Sequence, residues 1–282
     1  MVSMPRGVCS IILSGGESRR FQLPGEQHVD KALYLVDGKP MIERAFSAAS
    51  AVSSEVIIAV NDWTRASSYS MLQGARFVVD EGFKGPLGGI FSGLKSCSGD
   101  IALILPNDMP RVTDRSLSEL LGRVDGFDVV TFILPNGALE AVMAIKVDEG
   151  RKLIELLKIH GRNKITDIYR GVPRLLLLSA AKLGISGELI NINTRNDLNL
   201  IELRGDFDSD ILLKRDFDLN GFNGTDVQKS LWGTISTGDP WSEAIYYAEM
   251  GVPFLMAHTL LDSRNPEVRR VGHAFLRGLA IP

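Results

Sequence analysis

Cysteine, histidine and excess positive charge are all scarce in this 282-residue chain, and each scarcity excludes something. Two cysteines, Cys9 and Cys97, cannot build a disulfide framework. Neither belongs to a CxxC pair of the kind that binds zinc or does redox work, so both are expected as small core residues. The four histidines, His28, His160, His258 and His273, show no metal-ligand spacing. Lys and Arg number 31 against 34 Asp and Glu, a net charge of −3 without the positive excess that counterion release from nucleic acid needs. No apolar run approaches the roughly 20 residues that cross a bilayer, and the N-terminal stretch carries no signal-peptide cleavage pattern. The expected partners therefore include no nucleic acid and no membrane, and the expected location is cytoplasmic.

The residues that are present alternate short β-branched runs with longer amphipathic ones up to about Leu203. The runs at 8–13, 56–60, 76–79 and 101–105 are nearly continuous in apolar residues, as strands covered on both faces must be. Helical spacing falls at 40–51, 64–72, 87–96, 114–124 and 151–159. This pattern predicts an α/β fold with a mostly parallel, doubly wound sheet. Pro135-Asn136-Gly137, between 129–132 and 141–145, predicts a hairpin. Three units are expected: a domain over 1–204, an Asp/Gly-rich solvated linker over 205–239, and a helical C-terminal extension over 240–282. Nine aromatic residues lie beyond Gly205, Trp232, Tyr247 and Phe254 among them, so this part must be buried somewhere. Its helices are expected at 241–250, 253–261 and 266–279, the last with Val268, Val271, Phe275 and Leu279 on one face. The 253–279 pair resembles one HEAT-type unit, which cannot bury its own face and should pack on the first domain or on a second chain. Residues 216–227 imitate the first half of an EF-hand loop, but Val227 stands where a bidentate Glu belongs.

Four short motifs carry chemistry. The first strand runs into Leu13-Ser14-Gly15-Gly16-Glu17-Ser18-Arg19-Arg20, followed by Asp30-Lys31 and then Gly38-Lys39-Pro40. Glycines after a first strand let backbone N–H groups approach phosphate oxygens, which Arg20 and Lys31 would neutralise. The competing reading is a tight turn and a surface lysine. The spacing is neither GxGxxG nor GxxxxGK[ST]. Pro106-Asn107-Asp108-Met109-Pro110 follows the strand at 101–105, where an acid can hold a hard cation at a topological switch point. A helix cap is the other reading of Asp108, although Thr113 and Asp114 are better placed for that. The glycine-rich turn from Asp80 through Gly85 to Ile90 could line a base and ribose. Asn191-Ile192-Asn193-Thr194, at the end of a late strand and before a helix starting near Arg195, could offer amides and a helix N-terminus to a phosphate.

Together these motifs resemble the molybdenum cofactor guanylyltransferases, within the Rossmann-like nucleotidyltransferases. The family's LAGGxSxRMGxDK is similar to 13–21 continued at Asp30-Lys31, and its GKPhh to 38–42. Its GPLxGhxxGL is similar to 85–94, its PxDhP to 106–110 and its NINTPxDL to 191–198, in order over residues 8–203. Two departures concern the phosphate loop: Phe21-Gln22 stands where the family has Met-Gly, and residues 23–29 lengthen the loop, which should make it more mobile.

The resemblance implies transfer of GMP from GTP to the phosphate of molybdopterin, with pyrophosphate leaving. It implies Arg20, Lys31 and Asp108 as catalytic residues and Asp108 as the Mg2+ ligand. The binding residues would be Leu13, Gly15, Gly16, Lys31, Asn61, Asp80, Gly85, Asp108, Asn191 and Asn193, with Asn61 and Asp80 around guanine and ribose and the two asparagines at the acceptor phosphate. Arg162 and Lys164 would add positive charge for that acceptor. Other readings stay open: CTP in place of GTP, a sugar phosphate or cobinamide phosphate as acceptor, or a nucleotide-binding partner with little activity. Molybdenum cofactor assembly proteins and a second copy of the chain, through the C-terminal helices, are further expected partners.

Overall fold

The computed structural model describes residues 7–80, 85–215, 219 and 226–279, the last stretch with side chains from 231 onward. In chain order the elements begin with β1 (Val8–Ser14), a small ribbon of β2 (Leu35–Val36) and β3 (Lys39–Pro40), α1 (Met41–Val52), β4 (Glu55–Val60), α2 (Trp63–Ser68) and β5 (Arg76–Val79). Then come α3 (Pro86–Ser96), β6 (Ile101–Pro106), α4 (Asp114–Leu121), β7 (Val129–Ile133), β8 (Leu139–Lys146), α5 (Val147–Ile159), α6 (Ile165–Gly171), β9 (Arg174–Ser179) and α7 (Ala180–Leu183). The C-terminal part holds β10 (Ile211–Lys214), α8 (Asp226–Thr237), α9 (Pro240–Glu249), α10 (Pro253–Leu261) and α11 (Pro266–Leu279).

Eight strands form one twisted sheet in the order β10-β9-β7-β8-β6-β1-β4-β5. β1 pairs in parallel with β4 and β6, β4 with β5, and β7 with β9. The hairpin at 134–138 makes β8 antiparallel to both β7 and β6, and β10 closes the edge antiparallel to β9. The predicted mostly parallel α/β sheet is present, with this antiparallel excursion inserted. Because the strands are apolar on both faces, successive residues feed two cores. Cys9 and Ile11 of β1 enter the one under α3, α5 and α6, and Ile12 enters the other, under α1 and α4. Gly93 lets α3 lie directly on β1: a Cβ there would come 2.5 Å from Ile11 Cγ2. Thr113 caps α4 through its side chain and a reciprocal bond with Ser116, which leaves Asp108 free of that duty.

Several expectations are corrected. Cys9 and Cys97 are buried but joined as a disulfide, because α3 returns its C-cap to the start of β1 with a Cα separation of 5.9 Å, a proximity that a sequence separation of 88 conceals. The stretch expected as a solvated linker supplies β10 and α8, and Phe207, Leu231, Trp232 and Ile235 are buried in the α3/α5/α6 core. On α11 the inward line is Val268, Gly272 and Leu276, while Val271, Phe275 and Leu279 are exposed. Gly272 decides this, since a Cβ would come 2.9 Å from the Ala257 carbonyl; the missing side chain lets α10 and α11 touch along that line. The C-terminal helices pack on the first domain: Trp232, Tyr247, Phe254 and Leu255 share a core with Leu153, Leu157, Ile168 and Tyr169. The calcium-loop resemblance at 216–227 lies largely outside the described residues.

Candidate active site

In the sheet the chain leaves β1 for β4 and β5 on one side and returns to β6 on the other, so the switch point lies between the carboxyl ends of β1 and β6. Open α/β sheets bind ligands there. A cleft of about 970 Å3 occupies this position, lined by Leu13, Gly15, Gly16, Arg20, Lys31, Asn61, Asp80, Gly85, Asp108 and Asn193. These residues come from the ends of β1, β4, β5 and β6, the connection between β1 and β2, the start of α3, and a late loop. Of the residues read from the sequence for the site, Asn191, Arg162 and Lys164 do not line it. A Cβ at Gly16 would meet nothing within 4 Å, so the glycine leaves open space in the cleft beside the backbone.

Lys31 and Asp108 meet at the centre. Lys31 Nζ donates to Asp108 Oδ2 at 2.6 Å, and the two side chains are only 12% and 14% exposed, which excludes a surface lysine. Asp108 Oδ1 is buried without a hydrogen-bond partner among the described residues. A carboxylate with one oxygen committed to a lysine and the other unsatisfied fits a hard divalent cation, which takes one or two carboxylates and completes its shell from phosphate and water.

Lys31 is held by a network that the sequence reading did not assign. Asn107 Nδ2 donates to Ser14 Oγ at 2.7 Å; Ser14 Oγ lies 2.7 Å from Tyr69 Oη; Tyr69 in turn donates to Asp30 Oδ2 at 2.8 Å. Arg65 Nε donates to the same Asp30 oxygen at 3.0 Å and Arg65 Nη1 to the Ser14 carbonyl at 3.1 Å, tying the Asp30-Lys31 turn to the end of β1. Burial dominates the Tyr69 phenol and pushes it well above its ordinary range, so it stays a donor. The lengthened loop is closed at its base. Gln22, where the family has glycine, donates to the Ser18 and Val29 carbonyls and accepts from Val29 N. Ser18, at φ 54°, accepts from Lys31 N at 3.1 Å.

The two asparagines face opposite ways. Arg20 Nη2 donates to Asn193 Oδ1 at 2.8 Å, which turns the Asn193 NH2 group toward other acceptors. Asn191 Nδ2 donates to Glu140 Oε2 at 2.7 Å. Glu140 is buried on β8, and that burial, with hydrogen bonds opposing and the Asp108 charge adding, pushes its carboxyl up to about 7. A glutamate between Leu139 and Ala141 in a strand buried on both faces was the signal for it in the sequence. The Asn191–Thr194 segment is not a strand; Ile192 N hydrogen-bonds the Asp108 carbonyl at 2.8 Å. Nor does a free helix N-terminus follow. Arg195–Asn199 is a 3-10 turn, and Asp197 Oδ2 takes the amides of Asn193 and Thr194 at 2.8 and 2.7 Å. Those bonds outweigh desolvation and hold the Asp197 carboxyl below its usual range. Expected acceptor-side cations are also committed: Arg162 pairs with Glu243 and Asp167, and Lys164 with Asp262.

Asp80 stands apart. Its Oδ1 is buried and has no hydrogen-bond partner among the described residues, and burial alone raises its carboxyl to about 6. A Cβ at Gly89 would come 3.1 Å from that oxygen, so the glycine is needed for the carboxylate to sit where it does. Asn61, at the end of β4, accepts from Arg65 Nη1 at 3.3 Å. Residues 81–84 of the glycine-rich turn lie outside the described residues.

The profile of the MobA-like NTP transferase domain matches residues 10–175. A molybdenum cofactor guanylyltransferase of Desulfosudis oleivorans is 30% identical over 203 residues, covering 69% of this chain and 94% of that protein. A probable molybdenum cofactor guanylyltransferase of Methanothermobacter thermautotrophicus is 38% identical over 109 residues, covering 38% of this chain and 52% of its own length. Among solved structures, molybdopterin-guanine dinucleotide biosynthesis protein A of Archaeoglobus fulgidus has the same fold, with a TM-score of 0.54 at 23% identity over 67% of this chain and 94% of that one. A profile match over most of the sheet and a relative matched along nearly its whole length decide the question: the chain belongs to the MobA-like NTP transferase family.

Proposed function

We propose that this protein transfers GMP from GTP to the terminal phosphate of molybdopterin. In the reaction an acceptor phosphate oxygen attacks the α-phosphorus of GTP; the new P–O bond forms as the α–β bridging P–O bond breaks, and pyrophosphate leaves with the electron pair. An ionised phosphate needs no general base, so positioning and charge neutralisation do the work.

Lys31 and Arg20 neutralise the β- and γ-phosphates and the departing pyrophosphate, and the strand-end amides of Gly15 and Gly16 approach the triphosphate. Asp108 would hold Mg2+, which supplies charge stabilisation to the phosphate oxygens when bound. Asn193, its carbonyl occupied by Arg20, offers NH2 to a phosphate oxygen. Asn191 stands outside the cleft lining and gives one Nδ2 proton to Glu140, which leaves its carbonyl oxygen and second N–H for the acceptor side.

The observation that carries the choice of base is the buried Oδ1 of Asp80, which has no hydrogen-bond partner among the described residues. Guanine alone among the four bases presents N1–H and an exocyclic NH2 side by side on one edge, a donor pair that a carboxylate matches bidentately. The test is pyrophosphate release with GTP, CTP, ATP and UTP, each with Mg2+ and molybdopterin. Wild type should turn over GTP in preference to the rest, and Asp80→Asn should lose that preference; a preference unchanged in Asp80→Asn removes the base assignment.

A further inference from the structure

We infer that the C-terminal helices are part of the nucleotide site's scaffold: Glu243, acting through Arg162, positions the His160–Ile165 connection that walls the cleft. The inference rests on reading the cleft as the GTP site.

The connection between α5 and α6 touches the site directly. Ile165 lines the cleft, and the Asn163 carbonyl lies so close to Gly85 that a Cβ there would come within 3.1 Å of it, at the mouth of α3. The backbone N–H groups of His160, Gly161 and Arg162 are tied to the last turn of α5 and that of Lys164 to Asp167, and Gly161 turns with φ +68°. Within the family domain alone, Arg162, Lys164 and Arg170 crowd one side of this loop with Asp167 as the acid among them. Such an arrangement leaves cations repelling one another.

The C-terminal part supplies what is missing, one grip per residue. Trp232 of α8 stacks on His160 with ring centroids 5.2 Å apart and planes 12° from parallel, and Ser236 hydrogen-bonds the same imidazole. Glu243 of α9 is ion-paired with Arg162 and lies 3.7 Å from Arg170. Asp262, at the end of α10, reaches Lys164 at 3.2 Å and Arg170 at 2.6 Å. Three acids now balance three bases in a cluster where Asp167, Arg170 and Glu243 are fully buried. Buried charges fix geometry because each one left unpaired is costly. The loop's side chains therefore take their places from α8, α9 and α10, elements beyond the matched family domain.

The test uses the full chain and calorimetric binding of GTP with Mg2+, without acceptor, so that it does not depend on turnover. Glu243→Gln should raise the Kd for GTP by about fivefold or more, with Glu243→Asp recovering part of the affinity. A structural role alone would lower the melting temperature and leave the Kd where it was, and a folded Glu243→Gln with a Kd within about twofold of wild type overturns the inference. Should Glu243→Gln fail to fold, Lys164→Gln, half exposed on the same cluster, is measured instead: a raised Kd supports the inference and an unchanged one overturns it. Wild-type protein that binds no GTP overturns the functional reading itself.

Discussion

Asp80 and Glu140 are carboxyls kept in surroundings that favour the neutral form, at about 6 and about 7. An ionised carboxylate accepts guanine's two N–H donors and a neutral one does not, so GTP affinity should rise with pH between about 5 and 7 and level off above. The sign for stability is opposite. As pH climbs past the ordinary 3.8, the unfolded chain releases the Asp80 proton before the folded one does, so folding loses stability until about pH 6. Asp80→Asn should therefore melt higher than wild type at pH 8 and converge with it near pH 4, while losing base selectivity. An Asp80→Asn protein less stable at pH 8 would mean the carboxylate has a partner.

Ser14 is a second test at this scale. It bridges Asn107 and Tyr69, hence the metal-side turn and the Asp30-Lys31 turn. Ser14→Ala removes one buried bridge, and a loss of about 1 kcal/mol in stability is expected. A kcat lowered by less than about tenfold, with the GTP Kd little changed, should accompany it.

At the scale of elements, the close contact of α3 on β1 predicts that Gly93→Ala loses about 1–3 kcal/mol in denaturant melts, because its Cβ would overlap Ile11 inside a packed core. The same contact shows why some elements are legible in a sequence and others are not. Strands β1, β4 and β6 announce themselves because both faces are buried and their runs are apolar throughout. Helices α10 and α11 begin at prolines and end where the apolar spacing stops. β10 is hidden, since four residues among aspartates look solvated until Phe207 and Ile211 find the core. The cleft residues Lys31, Asp108 and Asn193 were readable because each stands in a short loop motif of charged, glycine or amide residues. The Glu140–Asn191 bond and the Ser14–Tyr69–Asp30 chain were not, because their members are joined only by the fold. The Asn193 and Thr194 amides looked available to a ligand until Asp197 folded back upon them.

For the whole molecule, the seam between the family domain and the C-terminal helices carries a pH dependence. His258 of α10 donates from Nε2 to the Gly137 carbonyl in the β7–β8 turn; burial, partly opposed by that bond and reinforced by Arg170, lowers its imidazole to about 4. As pH falls below the ordinary 6.5 the unfolded chain takes up a proton that the folded chain resists. Stability held above pH 6.5 is therefore lost progressively toward pH 4. Melting temperatures of wild type should fall more steeply from pH 7 to pH 5 than those of His258→Gln, and parallel curves would contradict this account of the seam.

The central claim concerns where one phosphorus atom goes. With GTP labelled at the α-phosphate, Mg2+ and molybdopterin, the label should pass into a guanine dinucleotide of the pterin while unlabelled pyrophosphate is released, and Asp108→Ala should stop both. Label that stays in GTP bound to folded wild-type protein, or that appears as free GMP whether or not molybdopterin is present, would contradict the account.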